Sequence, residues 1–450
     1  MNIFRALFVI FAGISINQPA ASEDSLDAII DLNLQDLLAL EVTSAAKKKQ
    51  SLNETAAAVF VITREDIRRS GVTSIAEALR MVPGIQVASL DANKWAISSR
   101  GFNAQFANKL LVLLDGRSVY TPSFSGVYWD AQDTLLEDIE RIEVIRGPGA
   151  TLWGANAVNG VINIITRPAI DTRGTLAVAG AGNEEQFAHL RHGFELGDDA
   201  AGRYYLKAKQ TEASHAPDLA ADAGDDWQSL RGGFRFDFDT SRGDNWTVQG
   251  DIYENDLNQI LQQDWLDPTD PANNPPDPAS PYLARNIVDE AASRGYNLLL
   301  HWQRETATSR YSVQGYIDHS YRSEHYITQQ IDTVDLEFQH NYRGIDGHDL
   351  VWGLGYRRLR YHVDSSFSVA IENPGSQTAD LINGFIQDEI SLNDRLHLTL
   401  GTKLEHNDYT GDEIQPNLRL AWQHSPGQTV WGALSRAVRT PSAVERGAMS

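Results

Sequence analysis

Three groups of residues have the types and spacing that could support chemistry. Gly149 and Gly154 stand in the G-x-x-x-x-G spacing of a phosphate-cradling loop. Ala155 and Asn156 follow where such a loop needs a lysine and a hydroxyl, so no side chain would reach phosphates or magnesium. His189 and His192 are three apart, but on a strand that spacing points them to opposite faces, so they make no ready metal pair. Arg100 and Arg146 each precede a glycine at the end of an extended run. A guanidinium enclosed at such a place needs a carboxylate in good geometry. The chain has no cysteine, which excludes disulfide staples, thiolate metal sites and cysteine catalysis together. No nucleophile, base and orienting group converge, so the sequence reads as that of a protein that catalyses no reaction and carries no cofactor.

The element that positions the second arginine is the run Ile139 to Thr166, IERIEVIRGPGATLWGANAVNGVINIIT. In its first half Ile142 and Val144 share a face with Glu140 and Arg146, while Ile139 and Ile145 share the other with Arg141 and Glu143. A soluble sheet buries one face against an apolar core, whereas a strand enclosed in a polar lumen carries ionisable groups on both sides. Gly147, Pro148, Gly149, Gly154 and Gly160 then allow tight turns and close backbone approach before the strand resumes at Val161. This run closely resembles the plug signature of TonB-dependent outer-membrane receptors, I-E-R-I-E-V-x-R-G-P followed by a small-residue turn and G-x-x-x-x-G-V-I-N-I-I-T. The Arg100-Gly101-Phe102 triplet and the L-x-x-L-D-G-R hairpin over Leu111 to Arg117 match the same family. The resemblance implies a mixed α+β plug inside an antiparallel transmembrane β-barrel. It also implies that Arg100 and Arg146 latch the plug to barrel glutamates, whose identity the sequence does not disclose.

Net charge and termini agree with that reading. At -22 over 450 residues the chain lacks the basic surface that nucleic-acid binding needs. Only 42% of it is hydrophobic, as in transmembrane barrels, whose lumen-facing residues dilute each strand's apolar face. Arg5, the apolar run to Ile16 and the small residues Ala20, Ala21 and Ser22 read as a secretory signal over residues 1–22. Residues 23–51 then read as a periplasmic segment that begins with an amphipathic helix to Leu40. Leu40-Glu41-Val42-Thr43-Ser44-Ala45 is extended in character and precedes Lys47 to Lys49. In the family this place holds the TonB box, a strand that pairs with the energy-transducing TonB–ExbB–ExbD complex by β-augmentation. Glu41 and Ser44 depart from the usual box, and the competing reading is a plain linker.

The plug is expected over residues 52–168, with capped helices after Thr63 and Ser74 and a tight hairpin at Asp115-Gly116. The barrel is expected over residues 172–450, where half-apolar strands such as that carrying Phe234, Phe236 and Phe238 run long. Membrane strands need about 9 to 11 residues, against about 5 to 6 in a soluble sandwich. Short connections alternate with long ones at 212–226, 254–293, 322–329 and 364–378, the pattern of periplasmic turns and external loops. About 13 strands are legible this way, with the chain ending at Ser450, so the barrel reads as truncated. Tyr204, Trp227, Trp246, Trp302 and Tyr311 are expected in girdles at the lipid interface.

The resulting expectation is a receptor of the Gram-negative outer membrane, held in outer-membrane lipid. It would take up a ferric siderophore in a TonB-dependent manner, with cobalamin or another nutrient as the rival ligand. A passive plugged porin or adhesin without energy coupling is the rival class. Ligand contact is expected at the plug segments 89–95 and 120–129, through Asn93, Trp95, Tyr120, Tyr128 and Trp129.

Overall fold

A strand with charge on both faces must find polar partners on both sides, and its surroundings show how. The computed structural model describes residues 41–44, 47–48, 50–51, 55–216, 221–265, 283–364, 370–371, 375–425 and 428–449. The signal-like leader and the amphipathic helix expected before Leu40 lie outside the described residues. Near the start, β1 (Glu41–Val42) pairs antiparallel with β2 (Gln50–Ser51). A mixed unit follows. β3 (Val59–Thr63) leads into α1 (Arg64–Ser70), whose start is a full capping box between Thr63 and Asp66 and whose end is Gly71 in the left-handed region. Ser74 caps α2 (Ile75–Ala78), and β4 (Ile85–Ser89) pairs with β5 (Trp95–Ser99) as a hairpin.

β6 (Leu110–Leu114), β7 (Arg117–Ser118), β8 (Ile139–Arg146), α3 (Ala150–Trp153) and β9 (Gly160–Thr166) complete the unit. Its five-stranded sheet has the order β3-β8-β9-β6-β7. Ile62, Ile142, Val144, Ile162 and Ile164 form its apolar core with α1 and α2. Gly160 lets β9 lie flat on β8, since a Cβ there would stand 2.4 Å from the Ile145 carbonyl oxygen.

Around this unit curls an antiparallel sheet of 13 strands, each bonded to its sequence neighbours. They are β10 (Gly174–Ala181), β11 (Glu185–Glu195), β12 (Ala200–Thr211), β13 (Trp227–Asp239), β14 (Asp244–Trp265), β15 (Leu283–Glu305) and β16 (Ser309–Glu324). Then come β17 (Ile327–Tyr342), β18 (His348–Asp364), β19 (Gly375–Asn393), β20 (Leu396–Asn407), β21 (Gly411–Ser425) and β22 (Gln428–Ser435). The burial pattern inverts that of a soluble protein. Arg191, Arg203, Lys207 and Arg231 are buried toward the plug, while Leu190, Leu206, Leu298 and Leu300 are exposed. This is a transmembrane β-barrel wall around a plug, apolar outside and polar within.

Three expectations need correction, and the first is that the connection read as long at 322–329 is a tight turn over 325–326, since Glu324 pairs with Ile327. The connection read at 254–293 is much shorter, because β14 and β15 stay paired from Glu254↔Arg294 out to Trp265↔Leu283. Period-2 alternation continues there, and the prolines that broke it lie in 266–282, outside the described residues. Trp227 is not in a girdle: it points into the lumen, buried against Leu257 and Ala291. Trp246 and Trp302 do pair on the outer face, with ring centroids 6.3 Å apart, close to the short turns.

The face assignment is testable. Leu298→Arg, near the middle of the outer apolar band, should cost about 2–4 kcal/mol in guanidinium unfolding from lipid vesicles, since an arginine there meets hydrocarbon. Arginine at the neighbouring lumen position, Asn297→Arg, should cost much less.

Candidate functional site

The wall's inward cations dictate what faces them. Between Trp129 and Ile139 the plug presents two single-turn 3-10 segments, Trp129–Ala131 and Leu136–Asp138, with acids at four positions. Asp130 Oδ2 lies 2.7 Å from Arg322 Nη1, and Asp133 Oδ2 lies 2.6 Å from Lys207 Nζ. Asp138 meets both Arg191 and Arg203. Glu137 approaches His189 Nε2 at 3.1 Å without hydrogen-bond alignment, so that contact is one of charge alone. In the reverse sense Arg117 Nη1 reaches Asp318 Oδ2 at 2.5 Å. Burial on its own would raise the Asp133 carboxyl, but the Lys207 and Arg231 charges hold it below the ordinary value of 3.8. Burial likewise opposes ionisation of Glu137, and the adjacent His189 keeps it below the ordinary 4.5.

The described residues supply no carboxylate partner for the two expected latch arginines. Arg146 donates to the Pro83 carbonyl oxygen at 2.9 Å, and Arg100 is exposed with a positive φ of 63°. Among the described residues neither meets a carboxylate. Between Trp129 and Ile139 the described ion pairs to the wall run the opposite way, plug acids on wall bases. The signal was present in the sequence: acids at 130, 133, 137 and 138, and lysines and arginines at odd positions from 203 to 209.

At the end of the barrel where the short turns lie, Glu143 explains the charge inside β8. Its fully buried carboxylate accepts from Thr43 N at 3.0 Å and from Ser44 N at 2.7 Å, and it also pairs with Arg141 Nε at 2.7 Å. Trp153 Nε1 donates to the Ser44 carbonyl oxygen at 2.7 Å, and Asn163 Nδ2 donates to Ser44 Oγ at 3.0 Å. Val42 is wholly buried. Lys47 bonds Glu337 at 2.6 Å, and Lys48 bonds Asp349 and Glu389, each at 2.9 Å. What read as a box or a plain linker is a strand docked in the plug and pinned to the wall. Leu40 and Ala45 lie outside the described residues.

At the opposite end, where the long connections lie, Arg100, Gly101 and Phe102 take consecutive positive φ values of 63°, 90° and 56°. Two of these are strained for residues with a Cβ. The result is Phe102 held 80% exposed, with Lys109 Nζ 3.6 Å from its ring centroid. Phe106 meets Phe124 edge-on at 4.9 Å, and Phe124 meets Tyr128 at 4.9 Å. Gly126 permits this packing, because a Cβ there would strike the Phe124 ring and the Ala107 carbonyl oxygen.

Of the expected ligand residues, Tyr128 belongs to this cluster; its phenol accepts from Gln329 Nε2 at 2.9 Å, and burial raises its pKa. Tyr120 is bonded to Ser125 Oγ at 3.0 Å, with its phenol pushed up by burial. Trp95 and Trp129 pack on the plug core. Asn93 is buried, donating to the carbonyl oxygens of Asp225 at 3.1 Å and Asn258 at 3.0 Å, so it ties the β4-β5 hairpin to the wall. Sequence reasoning missed Phe106 and Phe124, and it read Phe102 only as part of a triplet.

Comparison with known proteins places this geometry. The TonB-dependent Receptor Plug Domain model matches residues 51–161, and the TonB dependent receptor-like, beta-barrel model matches residues 180–449. The chain is 26% identical over 416 residues to the iron-regulated outer membrane virulence protein of Vibrio cholerae, covering 89% of this chain and 60% of that protein. It is 34% identical over 147 residues to the vitamin B12 transporter BtuB of Vibrio vulnificus, covering 32% of this chain and 23% of that one. A crystal structure of a mutant of the ferric enterobactin receptor PfeA from Pseudomonas aeruginosa superposes with a TM-score of 0.67 at 16% identity, covering 89% and 64% of the two chains. The siderophore receptor PirA of Pseudomonas aeruginosa gives a TM-score of 0.63 at 19% identity, covering 88% and 63%. The chain thus spans about 60% of the length of the first of these relatives.

The acid-on-base contacts predict a pH dependence. A carboxyl whose folded pKa is depressed contributes docking stability that is fully present above its ordinary value and lost as pH falls through the folded one. Hydrogen exchange across residues 129–146, taken relative to its intrinsic rate at each pH, should therefore be unchanged from pH 7 down to the ordinary values of 4.5 and 3.8, and should accelerate below them. Asp138→Asn should bring that acceleration on at neutral pH, since losing one partner of a buried pair costs about 3–5 kcal/mol.

Proposed function

The chain belongs to the TonB-dependent receptors, whose members are receptors and transporters rather than enzymes, and from that premise we propose its task. It binds a scarce, bulky ferric chelate of the siderophore class outside the outer membrane. TonB, engaging the segment Leu40–Ala45 from the periplasm, drives the uptake of that chelate. Residues 1–22 serve as the signal peptide, residues 52–168 form the plug, and residues 172–450 contribute wall strands.

One observation carries this reading. A single plug has a docked extended segment at the short-turn end and an exposed aromatic surface at the long-connection end. β1 is paired over only two residues, so a competing strand that bonds the same backbone groups can replace β2 at little cost. Phe102, Phe106 and Phe124 offer large, stiff contact area to a rigid ligand without relying on charge. The iron reading draws support from the Vibrio cholerae relative, which matches along most of the chain and is named for iron regulation. A corrinoid is the second reading, favoured by the higher identity to the vitamin B12 transporter over a plug-sized stretch.

Tryptophan quenching in detergent separates the two. A panel of ferric catecholates and hydroxamates should contain a saturating ligand, and cyanocobalamin should not saturate; the reverse result would sink the iron reading. Phe102→Ala and Phe124→Ala should each weaken the productive ligand by about tenfold, in line with the loss of an aromatic contact worth ~0.5–1.5 kcal/mol and its buried area. Val42→Pro removes a strand donor and should abolish uptake in cells while binding persists. Normal uptake in that variant would reject the coupling role of Leu40–Ala45.

A further inference from the structure

Undocking the segment that carries Lys47 removes the counter-ion of Glu337, a carboxylate on the wall of the lumen. Glu337 is only partly buried, so the lumen screens part of the charge left behind, and the remainder opposes the step that creates it. Around Glu337 the wall holds a second ammonium. Lys47 Nζ lies 4.8 Å from the Phe385 ring centroid, and Lys403 Nζ lies 5.7 Å from the same ring. Phe385 and Lys403 are cross-strand partners on β19 and β20. Lys403 is 3% exposed, yet among the described residues no carboxylate bonds its Nζ. It lines, together with Lys47, Glu337 and Glu405, a cavity of about 290 Å3 between plug and wall. The field of both lysines falls on the Glu337 carboxylate, and so does that of Arg357, which is itself paired with Asp335 at 2.8 Å.

The plug holds Lys403 in this unpaired position. Gly154 is so close that a Cβ on it would stand 3.1 Å from Lys403 Nζ and 2.8 Å from Glu405 Oε2. Glu405 leans on Ala155 N at 3.4 Å, and its Oε1 has no partner. Lys47 occupies Glu337 and repels the second ammonium.

We propose that Lys403 is a replacement counter-ion: when Lys47 leaves with the docked segment, Lys403 swings across the cavity and takes over Glu337. Its stem of four methylenes gives the reach, and the cavity gives the room. The exchange keeps the lumen electrically balanced while the segment is out. The proposal rests on the reading that Leu40–Ala45 is released during energy coupling.

The absence of cysteine supplies a clean test, because Val42→Cys introduces a unique thiol that is fully buried when docked. Its rate of modification by a maleimide in isolated outer membranes reports undocking. Lys403→Gln should slow modification about tenfold, and Lys403→Arg should restore the original rate. In a Glu337→Gln background Lys403→Gln should make no difference, since no carboxylate is left to rescue. Glu143→Gln, which weakens the acceptor of Thr43 N and Ser44 N, should speed modification and serves as the control on docking. If it does so while Lys403→Gln leaves the rate unchanged or faster, the exchange is overturned and the docked segment stands. If Glu143→Gln has no effect, the docked-segment reading fails and the exchange fails with it. A slowing by Lys403→Gln that persists in the Glu337→Gln background would also overturn the exchange, because Lys403 would then act on Glu405 or another acid.

Discussion

Charge placed out of water must be matched, and almost every contact between plug and wall follows from that requirement. The wall strands expose leucines and isoleucines outward, so their alternate positions must face inward, and those positions carry Arg191, Arg203, Lys207, Arg231 and Arg322. Unpaired, these cations would keep the lumen open and wet. Asp130, Asp133 and Asp138 close it, each within ion-pair distance of a wall base and each almost fully buried on the plug side or the wall side. Such pairs contribute less net stability than an apolar interface of equal area. What they add is register, since each acid meets bases at fixed places on the wall, Asp138 meeting both Arg191 and Arg203.

The same chemistry sets what can move. The plug has its own apolar core around Ile62, Ile142 and Ile162, which does not involve the wall. Apart from apolar contacts such as Leu152 on Val351 and Phe385, its described attachments to the wall are polar and can be exchanged one for another, as water or a second charge replaces the first. The docked strand at Val42 is the extreme case, with two backbone amides on one carboxylate, one indole donor and two lysines on three wall acids. An arrangement of that kind is tight at rest and releasable by a competing strand, which a leucine-rich seam would not be.

At the other end, the backbone rather than charge does the presenting. Three consecutive residues in the left-handed region hold Phe102 outside, a conformation that persists only where surrounding packing over-determines it. The edge-on contacts of Phe106, Phe124 and Tyr128 join two plug segments into one surface. Arg322, 4.1 Å from the Tyr128 ring centroid and bonded to Asp130, links this surface to the acidic segment that docks on the wall.

Local pattern was enough to read much of this chain. Charge on both faces of Ile139–Arg146, the glycines after it, the long alternating strands and about 13 of them all follow from periodicity and turn chemistry, which are properties of adjacent residues. The same is true of the capping boxes and the opposite faces of His189 and His192, the latter stacked outside on Phe194 at 6.0 Å. Partner identity was not legible. Which base meets Asp138, why Glu143 is charged, and why Arg146 turns to Pro83 depend on residues about 50 to 100 positions away, brought together only when the plug folds and the wall curls around it. Exposure was no more legible for the aromatics: Trp227, Trp95 and Phe102 are equally apolar in sequence. The tertiary structure puts the first in the lumen, the second on the core and the third outside, because side-chain burial is decided by what packs opposite and not by the residue itself.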